Sequence, residues 1–169
     1  MAKNMTISKP LFSGSAKISG QIMEVDTNGL TYGFLADPAV GTGVPFGVVV
    51  QKGASANLVK AGVSAIATNN YGISVFAPAI AQSRPASPDG YIAGMPVNVM
   101  CDGYLWFYPE AGATGITRAS NVIAKDATGV ISFGASAGSG ETVITWAKVV
   151  LVDERNKRVL VKVDISLAV

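Results

Sequence analysis

The sequence predicts an all-β protein, a single-domain β-barrel or β-sandwich with an extended N-terminal arm. Three observations carry this. Short apolar or alternating runs recur about every ten residues, with turn residues between them. The last run alternates to the end of the chain: Val159, Val161, Val163, Ile165, Leu167 and Val169 fall on one face, and Lys162, Asp164 and Ser166 on the other. No stretch makes a convincing amphipathic helix. The one candidate, residues 58–68 (LVKAGVSAIAT), is weakened by Gly62 and by the β-branched Val59, Val63 and Ile66.

In chain order, residues 1–45 are rich in Gly, Ser, Thr, Asn and Pro and show no sustained period, so they read as an extended arm with short strand pieces such as residues 21–25. The expected division is an arm over residues 1–20 and a barrel or sandwich over residues 21–169. Asp26-Thr27-Asn28-Gly29 opens like a calcium loop. Leu30 then stands where an oxygen ligand belongs and no glutamate closes a twelve-residue loop, so a turn is the better reading. Residues 46–51 (FGVVVQ) form a β-branched run that residues 56–60 can join across Lys52-Gly53-Ala54-Ser55. Residues 72–78 (GISVFAP) make another strand, stopped by proline, and residues 79–90 a loop.

Residues 89–108 (DGYIAGMPVNVMCDGYLWFY) predict two short strands bent around Cys101-Asp102-Gly103, because glycine reaches positive φ at no steric cost and aspartate tolerates it. Pro96 opens the first strand, with Val97 and Val99 on one face and Asn98 and Met100 on the other. In the second, Tyr104, Trp106 and Tyr108 alternate with Leu105 and Phe107, so neither face suits bare water. Residues 111–115 make a Gly-Ala turn. Residues 121–124 and 130–133 are two more short strands around residues 125–129, and residues 134–140 (GASAGSG) are a loop. Residues 143–152 pair with the final strand across the polar turn 153–157.

At 169 residues the chain can bury roughly two-thirds of its unfolded surface without disulfides or metals. It is 49% hydrophobic but only 14% charged, against about 25% in ordinary soluble proteins. A surface so poor in charge predicts self-association, with a homo-oligomer, trimer favoured, as the working form. The net charge of +2 without a basic block gives no ground for a nucleic-acid partner. A single cysteine permits no internal disulfide. No apolar stretch is long enough for a membrane span, and the first residues lack a secretory core, so a soluble protein without membrane contact is expected.

The sequence has no histidine, which removes Ser-His-Asp and Cys-His nucleophile activation, histidine metal sites and the commonest general base. Cys101 reads as a small buried hydrophobe rather than a thiolate, since the neighbouring Asp102 raises its pKa. Residues 134–142 resemble a phosphate loop only superficially, for Ser139 and Glu141 stand where glycine and lysine are needed. The eleven acidic residues are scattered and do not support a glycosidase pair. Asp153, Glu154, Arg155, Lys157 and Arg158 read as a solvated hairpin tip. Tyr104, Trp106 and Tyr108 read as core or oligomer packing. A carbohydrate-binding module stacking sugars on that aromatic face is the alternative function. No catalytic residue, metal ligand or cofactor is expected.

Several of these segments follow one another in a familiar order: Gly20-Gln21-Ile22, Val44-Pro45-Phe46-Gly47 leading into Val48-Val49-Val50, and Tyr71-Gly72-Ile73-Ser74-Val75. Then come Gly94-Met95-Pro96-Val97-Asn98-Val99 and Gly103-Tyr104-Leu105-Trp106-Phe107. This succession resembles the structural cement, or capsid decoration, proteins of tailed bacteriophages over about residues 18–169; residues 121–140 depart from the family pattern. The resemblance implies a non-enzymatic, β-rich virion protein, made in the host cytoplasm. It would bind the outside of an icosahedral shell of HK97-like major capsid protein, usually as an oligomer over subunit junctions. Lys3, Lys9 and Lys17 of the arm are then the candidate capsid contacts.

Overall fold

The residues from Pro96 to Phe107 form one unbroken strand where the sequence predicts a hairpin. A computed structural model describes residues 19–22, 29–77 and 90–165. Its strands are β1 (Gln21–Ile22), β2 (Leu30–Ala36), β3 (Val44–Pro45), β4 (Val49–Lys52), β5 (Leu58–Ala61), β6 (Asn70–Ser74), β7 (Gly90–Tyr91), β8 (Pro96–Phe107), β9 (Asn121–Lys125), β10 (Ile131–Gly134), β11 (Glu141–Asp153) and β12 (Arg158–Asp164). Two short 3-10 turns, Pro38–Val40 and Ala67–Asn69, interrupt this all-β architecture.

β8 is the spine. Its first half joins a closed set of strands in the order β8-β2-β5-β4-β6, because β6 returns to β8 at Ile73↔Met100 and Ser74↔Val99. Its second half leads away through β12, β11, β9 and β10. A bridge between Val48 and Val130 then brings β10 back beside β4. The sheet is thus barrel-like, with β4, β6 and β8 as a wall common to two cores.

The two cores use opposite faces of that wall. Val97, Val99 and Cys101 join Ala36, Phe46, Val50, Val59 and Tyr91 in one. Met100, Leu105 and Phe107 join Val49, Ile73, Trp146, Val159, Val161 and Val163 in the other. Odd-numbered residues of β8 therefore change sides between Cys101 and Leu105. The register explains how: Leu30 opposes Asp102 but Thr31 opposes Met100, so Cys101 is the extra residue of a bulge. Gly103, at φ 140°, supplies the conformation that re-aims the strand. The Asp-Gly pair offsets the chain instead of reversing it, because Asp102 is held on both edges, by Leu30 of β2 and Asp164 of β12.

Two further expectations are corrected. Leu30–Ala36 is a seven-residue barrel strand and not part of an extended arm. Arg158 is not part of the solvated tip: it is 6% exposed. As expected, residues 58–68 make no helix: Leu58–Ala61 pairs with β4 and Ala67–Asn69 makes a single 3-10 turn. The β4–β5 and β9–β10 hairpins and the long β11–β12 pair form as expected. Residues 23–28, where the calcium-like turn falls, most of the 79–90 loop, and residues 166–169 lie outside the described residues.

Polar groups that the cores enclose are paired. Ser74 Oγ, fully buried, accepts from the Val48 N–H at 3.1 Å and donates to the Pro45 carbonyl at 2.7 Å. Asp37 caps the first 3-10 turn through Ala39 N–H and reaches Ala54 N–H in the β4–β5 turn at 2.7 Å. Tyr91 donates its hydroxyl to the Val75 carbonyl at 2.8 Å.

Candidate interaction surfaces

The aromatic stripe of β8 divides by position. Trp106 is 6% exposed yet belongs to neither core cluster. It lies between Leu160 of β12 and Gln21 of β1 in the sheet register, and the Arg158 guanidinium covers its ring 4.0 Å from the centroid. Tyr104 and Tyr108 are half-buried, and the Tyr108 N–H donates to Ser19 Oγ at 3.2 Å. An indole capped in this way has no open face for a sugar ring. Lys3, Lys9 and Lys17 lie outside the described residues.

Electrostatics around Trp106 are local. Arg158 Nε donates to Asp153 Oδ2 at 2.9 Å, and Asn156 donates to both Asp153 oxygens. Partial burial pushes the Asp153 carboxyl up, but hydrogen bonds from Asn156 and Arg158 and the Arg158 charge outweigh it and hold the group below its ordinary value. Elsewhere, burial raises the Cys101 thiol to about 11, which keeps it protonated and inert at neutral pH. Glu141, the residue that spoils the phosphate-loop pattern, accepts from the Gly138 N–H at 3.0 Å within that loop.

Two surface features stand out instead. A groove of about 670 Å³ runs between Phe46, Val48, Tyr108, Ile116, Val130 and Phe133, with Ser19 on its rim. Glu110 and Lys125 are its charged groups. The second feature is β2, whose Leu30, Tyr32 and Leu35 are 48, 51 and 38% exposed. Sequence reasoning missed it because LTYGFLA does not alternate. The absence of any charge in those seven residues was the available clue. Among the described residues no group of three or more His, Cys, Asp or Glu could hold a metal ion, and no helix is long and apolar enough to cross a membrane.

Fold and surface together define a barrel-like all-β protein with an uncharged, exposed strand and no metal-holding cluster among the described residues. Over residues 11–166 the chain matches the profile of the structural cement protein family (E217 gp24/Pam3 gp6), and it belongs to that family of phage structural proteins. Membership assigns it to the virion, in association with a phage capsid. Comparison with curated proteins gives no match.

Proposed function

We propose that the protein binds the exterior of an icosahedral shell of HK97-like major capsid protein and stabilises it by bridging neighbouring capsomers. It does so as a homo-oligomer, with trimer the favoured state, after synthesis in the host cytoplasm. Its role is structural and not enzymatic. The observation that carries this reading is the match to the structural cement family over residues 11–166, on a chain of 14% charge whose strand β2 leaves Leu30, Tyr32 and Leu35 exposed.

Multivalency is the mechanism. Each copy buries modest area, but once one copy of an oligomer is seated the remaining contacts become intramolecular, and effective concentration rises toward the millimolar range, about 10²–10⁴-fold in avidity. The arm, residues 1–20, with Lys3, Lys9 and Lys17, adds contacts to the shell. The capped Trp106 argues against the carbohydrate-module alternative.

The test is attachment to undecorated capsids. Full-length protein should bind and raise the temperature at which the shells rupture, and mass photometry of the free protein should show an oligomer. Deletion of residues 1–17 should weaken attachment. A monomer at micromolar concentration, or shells no more stable after decoration, would overturn the reading.

A further inference from the structure

The hydrogen bonds of β2 leave one of its edges open. Odd-numbered residues aim their backbone groups away from β8: the Leu35 N–H reaches the Asn57 carbonyl at 3.0 Å and the Asp37 N–H the Val59 carbonyl at 2.8 Å. Even-numbered ones aim toward β8, as the Ala36 N–H does to the Met95 carbonyl at 2.8 Å. The pairing of β2 with β5 covers only Leu35 and Ala36. Thr31 and Gly33 therefore point N–H and C=O groups outward with no backbone partner among the described residues. Both residues are exposed, and a Cβ placed on Gly33 meets nothing within 4 Å. Natural sheets guard such an edge with Lys, Pro or a bulge on the edge strand. LTYGF has no Lys or Pro, and its one register break inserts the extra residue in β8.

We propose that this edge pairs with the same edge of a second copy, antiparallel and about a two-fold axis at Tyr32. The contact belongs to the homo-oligomer of the reading above and does not depend on the shell. Thr31 exchanges both of its backbone hydrogen bonds with the partner's Gly33, and Gly33 does the same with the partner's Thr31. Moving the axis one residue toward Ala36 would call on the Leu35 N–H, which the Asn57 carbonyl already holds. Moving it one residue the other way runs the pairing past Leu30, where β2 begins.

The strand itself selects a copy of itself as occupant. Leu30-Thr31-Tyr32-Gly33-Phe34 has nearly the same order of sizes from either end: large apolar, small, tyrosine, small, large apolar. About the Tyr32 axis, Leu30 meets the partner's Phe34 and Tyr32 meets the partner's Tyr32 on one face. Thr31 meets the partner's Gly33 on the other, where the missing side chain leaves room. Leu30 and Tyr32, each about half exposed in the single chain, are thereby covered, while Phe34 is already fixed by stacking on Tyr71 at 5.0 Å between centroids. β2 carries no charge, so the two-fold brings no like charges together. The partner's strand starts opposite the point where β5 takes over the edge at Leu35, so the two do not compete. An isologous contact of this kind joins copies in twos and leaves no outward group of Thr31 or Gly33 for a further strand, so it links the favoured trimers to one another and does not itself close one.

The test is disulfide trapping of the full-length protein in a Cys101→Ala background. Tyr32→Cys puts two thiols at directly opposed, non-hydrogen-bonded positions, a separation that a disulfide spans, so this chain should give a linked dimer on mild oxidation. Thr31→Cys and Gly33→Cys lie diagonally from their own copies, so each alone should link roughly tenfold more slowly, and the two mixed should link to each other. Tyr32→Lys and Tyr32→Glu alter an exposed side chain. Each alone should lower the paired fraction in sedimentation at rising concentration, and their equimolar mixture should restore it. Gly33→Cys linking to itself as fast as Tyr32→Cys would overturn the Tyr32 axis. A protein that still self-associates but forms no Tyr32→Cys disulfide overturns this contact and leaves the homo-oligomer intact, whereas a monomer at every concentration overturns both.

Discussion

Arg158 lies over Trp106, its guanidinium carbon 4.0 Å from the ring centroid, while its Nε holds Asp153 at 2.9 Å. One cation thus links the root of the β11–β12 turn to the C-terminal end of β8. The arrangement seals an indole that neither core encloses.

Trp106→Ala should therefore act on stability. Truncating a buried tryptophan costs about 3 to 5 kcal/mol. In a protein of this size that lowers the melting temperature by roughly 10 °C. Calorimetry, oligomer mass and glycan binding on this one variant separate the two roles of the residue. An unchanged melting temperature with lost glycan affinity would mark a sugar platform.

Acid should loosen the same cluster. Asp153 has a folded pKa below its ordinary 3.8, so its contribution is present in full above that value and is lost as pH falls through 3.8 and then through the folded pKa. Asp153→Asn should melt below the wild type at pH 7, with the gap narrowing as pH falls below 3.8. The effect is modest, for the carboxylate is partly hydrated.

Cys101 predicts the opposite limb. Its thiol titrates near 11 when folded instead of 9.0, so the neutral form is favoured in the native state and stability falls as pH rises from 9.0 through about 11. Cys101→Ala should flatten the alkaline decline. Iodoacetamide at pH 8 should label the native protein far more slowly than the unfolded chain.

Ser74→Ala should be costly for its size. It strips the buried Val48 N–H of its acceptor, a loss of about 1 to 3 kcal/mol. Denaturant unfolding should show a lower midpoint at unchanged slope. A midpoint equal to wild type would mean that the 45–48 segment shifts to find another partner.

Much of the architecture was legible in local pattern, and the exceptions have physical causes. Val159, Val161 and Val163 announce β12 because a strand with one face in a core must alternate. β8 was misread because Asp-Gly is equally suited to a tight turn and to a bulge, and what decides between them is the pairing of Asp102 with Leu30 and Asp164, which are distant in sequence. β2 was invisible because a strand with an open edge and exposed side chains has no reason to alternate. The burial of Arg158 was likewise hidden, since the charge pattern of 153–158 cannot tell that an indole from another strand lies beneath it.

The wall of β4, β6 and β8 carries a mechanical consequence. Two tubes that share a partition behave like a girder of figure-eight section: flattening either one must shear the ladders of the partition, and those ladders are backbone hydrogen bonds loaded side by side. At the partition Gly72 lets β6 lie against the Met100 carbonyl with no side chain between them, so the web of the girder is at its thinnest there. A body built this way passes load from one end of β8 to the other with little change of outline, which is the property required of a rivet.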